Sequence, residues 1–82
     1  MLIENARVLE SRALPDLGDK YGAGFEVELE VDVNGVTEFF SVMQFRTFTL
    51  VLDAGGCVFN DDHLCNYLIL AALPALSAIR EV

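Results

Sequence analysis

The chain has 82 residues, thirteen Asp and Glu against five Lys and Arg, a formal net charge of −8 and 54% hydrophobic residues. That length holds one core and no second one, so residues 1–82 are read as a single domain. The charge disfavours direct nucleic-acid binding, which needs a basic footprint, and it equally disfavours an anionic membrane surface.

Small domains bury a modest fraction of their surface and are marginal alone. High apolar content offsets this and leaves apolar surface to be covered by a partner or a second copy. Cys57 and Cys65 are too few for a disulfide framework. The N-terminal MLIENARV has neither a basic region nor a long apolar run, so no signal peptide is expected and the expected location is cytoplasmic.

Residues 2 to 12 (LIENARVLESR) read as a first strand of weak alternation, with a short helix as the alternative because Ala, Arg, Leu and Glu favour helix. A third strand is needed to steady the hairpin that follows, which decides for strand. Residues 13 to 24 carry one Pro, three Gly and two Asp, the chemistry of a loop. A loop of that length is read as a flexible link, with a binding loop as the alternative.

The run from Phe25 to Phe45 organises the rest. Phe25, Val27, Leu29, Val31 and Val33 alternate with Glu26, Glu28, Glu30 and Asp32, giving a strand with one apolar and one acidic side. Asn34-Gly35 is the pair preferred by a two-residue turn whose central positions both need positive φ. The returning run then sets Val33 opposite Val36, Leu29 opposite Phe40 and Phe25 opposite Gln44, and puts Phe39, Met43 and Phe45 on the acidic side. No Lys or Arg occurs between Lys20 and Arg46, so the hairpin does not neutralise itself.

Alternate acids on a strand stand ~6.8 Å apart. At that distance two exposed charges repel by only about 0.6 kcal/mol in water, so a solvated acidic face is tolerable without any purpose. The functional alternative is an acidic ribbon docking on a basic protein surface. Its axial spacing also invites comparison with a phosphate backbone. Phe39 and Met43 among charges resemble an interface core with a polar rim.

Arg46 to Asp53 reads as another strand, Ala54-Gly55-Gly56 as a turn, and Cys57 to Phe59 as a short returning edge. Asn60-Asp61-Asp62 offers Asn or Asp as a cap and acids for the positive end of the macrodipole, and the helix is expected from about Asp61 to Arg80. Its apolar residues go almost all round. One sheet covers one side, and the surplus points to a second copy (a homodimer) or another protein, with an oligomer interface drawn from Leu64, Leu68, Ile69, Leu73, Leu76 and Ile79. Pro74 predicts a kink or two short helices. With Asn66 and Pro74 interrupting it, the run falls short of the ~20 residues that span a bilayer.

Cys57, His63 and Cys65 with Asp61 and Asp62 match no zinc spacing, so no metal and no cofactor is expected. Cys65 in a first helical turn is where a thiol pKa is lowered, yet His63 lies on another side of the helix and there is no nucleophile–base pair. No Gly-rich phosphate loop follows a strand. The expectation is an α+β fold: an antiparallel sheet of four to five strands with one Pro-kinked apolar C-terminal helix on one face. The expected function is non-enzymatic. It is a small acidic protein that occupies a basic, nucleic-acid-handling site on a larger protein, in the manner of phage-encoded anti-CRISPR or antirestriction inhibitors. Glu26, Glu28, Glu30, Asp32, Glu38, Phe39 and Met43 would make the contact. The alternative is an assembly subunit acting through its helix.

Overall fold

A computed structural model describes residues 1–15 and 22–80. Four strands, β1 (Ile3–Leu14), β2 (Gly24–Val33), β3 (Val36–Gln44) and β4 (Thr49–Asp53), are followed by one helix, α1 (Asp62–Arg80). The sheet is a meander of order β1-β2-β3-β4 with every neighbouring pair antiparallel. The fold is therefore α+β, with α1 against one face of the sheet.

The β2–β3 hairpin forms as its alternation dictates. Asn34 and Gly35 both take positive φ, 51° and 81°. Pairing runs without a break from Val33–Val36 to Phe25–Gln44. The turn is also held from outside, because Leu2 N–H donates to Asn34 Oδ1 at 2.9 Å and Asn34 N–H donates to the Leu2 carbonyl at 2.8 Å.

Val27, Leu29 and Val31 of β2, Phe40 and Val42 of β3 and Val51 of β4 point to one side. There they are closed over by Leu64, Leu68, Ala72 and Leu76 of α1. Four-residue spacing makes those helical residues a single row, so one stripe of α1 does the packing. The helix lies chiefly over β1 and β2. Phe59, on the way into α1, sets its ring edge against Phe40 with centroids 5.0 Å apart. Asp61 Oδ1 accepts from Leu64 N–H at 2.9 Å and caps the first turn.

Several expectations change. Ala13 and Leu14 belong to β1 and Gly24 to β2, so the expected loop is shorter at both ends. The binding-loop alternative falls on residues 16–21, outside the described ones. The strand expected from Arg46 begins at Thr49, and the returning edge reduces to one bridge, Leu52 with Val58. Pro74 does not divide the helix, which is one element through it. Pro74 and Leu70, whose carbonyl loses its helical partner, are both exposed, on the outward side where curvature carries a helix around its core.

By length and composition α1 would pass for a membrane span, contrary to the expected shortfall. Its buried row, however, is part of the sheet's core.

Candidate protein-docking face

Glu26, Glu28, Glu30 and Asp32 point away from α1, as the alternation of β2 requires, and no element among the described residues covers that face. They are not the bare row expected. Arg7 of β1, the Cα partner of Glu30, makes an ion pair with it. Arg12 meets three carboxylates, with Nη1 3.0 Å from Glu26 Oε1, Nη2 2.5 Å from Glu28 Oε1 and, more loosely, Nη2 3.9 Å from Glu10 Oε2. The Glu26 and Glu30 side chains are only 16% and 17% exposed, so the carboxylates lie along the sheet. Asp32 accepts from Asn5 Nδ2 at 3.0 Å and from Thr37 Oγ1 at 2.9 Å. Those two hydrogen bonds, with a smaller attraction from Arg7, hold its carboxyl below the ordinary 3.8.

Two irregularities in β1 put both arginines there. A strict period of two sends Arg7 and Arg12 to opposite faces, since their separation is odd. Register shifts between Glu4 and Arg7 and between Val8 and Glu10 each insert one residue. At the first, Asn5 adopts φ 56°, a conformation that Asn tolerates well. After both shifts Glu4, Arg7, Glu10 and Arg12 all share the face of the β2 acids. The face is still acidic, with Glu4, Glu10, Glu26, Glu28, Glu30 and Asp32 set against Arg7 and Arg12.

Phe39 lies beside Glu30, and Met43 beside Glu26, as the register predicts. Phe39 is 49% exposed. Leu50 and Leu52 of β4 continue this apolar strip across from Met43 and Ser41. Phe45, expected on the same face, is nearly buried and packs on Gly24, where any Cβ would stand 2.5 Å from Phe45 Cε1. Glu38 pairs with Val31 and so belongs to the other face, separate from the four acids grouped with it.

Beside Glu38 a groove of about 520 Å³ opens between Thr37, Glu38 and Phe39 of β3 and the turn from Asp53 to Cys57. Asp53 Oδ1 accepts from Gly55 N–H at 2.9 Å and Cys57 N–H at 3.0 Å, which fixes that turn. Sequence reasoning missed this groove, because it depends on where β4 stops.

The helix residues expected at an oligomer interface divide in two. Leu64, Leu68 and Leu76 are sealed in the chain's own core and are unavailable to a partner. Ile69 and Ile79 are half-buried against it. Leu73 is exposed, and Leu70, which was not singled out, is more exposed still at 66%.

Among the described residues no group of three or more His, Cys, Asp and Glu side chains is placed to hold a metal ion. The Cys65 thiol donates to the Phe59 carbonyl at 3.2 Å. Burial first, then Asp61 and Asp62, raise its pKa above 9.0, opposite to the lowering expected of a first helical turn. Comparison with family models, with curated proteins and with solved structures found no match to this chain.

Proposed function

We propose that this chain is a small, acidic, non-enzymatic binding protein that occupies a basic surface on a larger protein. That is the mode of action of phage-encoded inhibitors such as anti-CRISPR and antirestriction proteins. The observation that supports this reading is the helix-free sheet face, where an excess of carboxylates over two guanidiniums adjoins exposed Phe39 and half-buried Met43. Such a face steers a cationic partner and offers it an aromatic anchor. Arg7 and Arg12 already engage Glu26, Glu28 and Glu30, which argues against imitation of a phosphate backbone.

The test keeps Glu26, Glu28 and Glu30 and gives up only the loosest ion pair of Arg12, with Glu10 at 3.9 Å. Glu4→Gln, Glu10→Gln and Phe39→Ser are combined in one chain, and basic proteins captured from host lysate are compared at low and high salt. The expected result is a named basic protein that binds the wild-type chain in a salt-sensitive way and loses the variant, with circular dichroism unchanged. Equal capture by both chains overturns the role of this face.

Exposed Leu70 and Leu73 favour a second reading, assembly through the outward side of α1. Light scattering on Leu70→Ser/Leu73→Ser decides it. A wild-type dimer that becomes a monomer supports assembly, and a wild-type monomer excludes it.

A further inference from the structure

Building on the reading of this chain as a binder of basic proteins, we infer that it takes hold of its partner by strand addition at the open half of β3. In a hairpin closed by Val33 and Val36, residues 36, 38, 40, 42 and 44 direct their N–H and C=O groups to β2. Residues 37, 39, 41 and 43 direct theirs to the opposite side. β4 pairs with β3 only between Phe40 and Gln44. At Thr37 and Phe39, therefore, no strand among the described residues takes up the outward backbone groups.

Those two residues stand roughly 6.8 Å apart, the repeat at which an extended peptide presents its own hydrogen-bonding groups. The groove beside them, about 520 Å³, is bounded by Glu38, Phe39, Asp53, Ala54 and Phe59. The turn from Asp53 to Cys57 marks its far wall, and the tied Asp53 keeps that wall in place.

Charge selects the occupant. Glu38 is exposed, and across β2 it faces Val31 and no cation. Asp53 contributes a second carboxylate to the groove. A strand laid along Thr37–Phe39 puts one residue opposite Glu38 on the same side of the sheet, and Lys or Arg is the residue that fits there. The occupant is thus an extended, basic segment of a partner protein, held by backbone pairing and specified by a cationic side chain at its centre.

The probe is an acetylated, amidated pentapeptide of alternating Thr and Arg, titrated into the isotope-labelled full chain at low salt. Its counterparts are the same peptide N-methylated at alternate amides and a peptide of alternating Thr and Glu. The expected result is movement of the Thr37, Glu38 and Phe39 amides together with those of the Asp53–Cys57 turn. N-methylation and, separately, Glu38→Lys should each weaken binding by about tenfold or more. If Glu38→Lys does not fold, the comparison of methylated and unmethylated peptides still decides.

Equal binding of the N-methylated peptide, with shifts at Glu4 and Glu10, overturns strand addition and leaves the acidic face as the docking surface. Equal binding of the acidic peptide overturns the choice of a basic occupant. No binding of either basic peptide overturns this inference, while the function it rests on stands or falls separately by salt-sensitive capture of a basic protein.

Discussion

Arg12 of β1 holds Glu28 of β2 with Nη2 2.5 Å from Oε1, and through Nη1 it holds Glu26 as well at 3.0 Å. One planar guanidinium therefore ties two neighbouring carboxylates that would otherwise repel. Exposed ion pairs are worth about 0–1 kcal/mol each. Glu26 is largely covered, while Arg12 itself is about a third exposed, so Arg12→Ala should cost about 1–2 kcal/mol. The expected outcome is a lower urea midpoint at unchanged slope, with the loss shrinking in high salt. Arg12→Lys should restore only part, since an ammonium lacks the fork that reaches both partners. Full rescue by Lys would show that the charge alone matters.

Asp32 gives the same face a dependence on pH. Its pKa is depressed by the Asn5 and Thr37 hydrogen bonds and, less, by Arg7. A carboxyl more acidic in the folded chain than in the unfolded one gives stability that is present above its ordinary value of 3.8. That stability is lost as pH falls through the lower folded value. Asp32→Asn should therefore be less stable than wild type at neutral pH, and the gap should close as pH drops through the carboxylate range. Denaturant midpoints measured down the pH scale check this. A gap that stays constant would mean the side chain acts through shape and not through its charge.

The hairpin, its turn, the β3 register and the helix were all legible, because each rests on a local rule that the sequence states directly; which of Asn60, Asp61 and Asp62 caps the helix was not, and it is Asp61. Alternation gave the faces of β2, and Asn34-Gly35 gave the turn. The counter-ions were not legible. Arg7 and Arg12 share a face only because β1 departs from a period of two between Val8 and Glu10, and they join Glu4 there only through the earlier shift; neither Asn5 nor Leu9 announces a bulge in an otherwise ordinary run. The division of α1 into a buried row and an exposed Leu70 was hidden for a different reason. When apolar residues surround a helix, its sequence cannot say which stripe meets the sheet. The groove beside Glu38 needed the length difference between β3 and β4, a matter of tertiary pairing.

The two thiols should separate cleanly. Cys57 is exposed, whereas Cys65 is half-buried and donates to the Phe59 carbonyl. Burial and the neighbouring Asp61 and Asp62 keep Cys65 protonated at neutral pH, so little thiolate is present to react. An aromatic disulfide reagent should give a fast phase that Cys57→Ser removes and a slow phase that Cys65→Ser removes. Because the folded pKa of Cys65 is the raised one, its contribution to stability is present below the unfolded value. It is lost as pH rises through the folded value. Rapid labelling of Cys65 in Cys57→Ser at neutral pH would reopen a thiol chemistry that the Phe59 contact argues against.

Leu68 and Leu70 lie two positions apart on α1 and face opposite surroundings. Leu68 is fully buried against the sheet, and Leu70 is 66% exposed. Leu68→Ala removes transfer energy and leaves a cavity, for a loss of about 2–5 kcal/mol. On the per-residue scale a chain of this length has only about 4–12 kcal/mol in total, so this variant should be close to unfolded at body temperature. Leu70→Ser removes a side chain from solvent and should shift stability by no more than about 0.5 kcal/mol. Thermal melts at two protein concentrations then separate folding from assembly. If Leu70→Ser lowers the midpoint substantially, and more so in concentrated samples, the outward side of α1 is covered by a second copy and the helix has two faces at work. If only Leu68→Ala matters, a single stripe of the helix supports the fold, and binding belongs to the sheet.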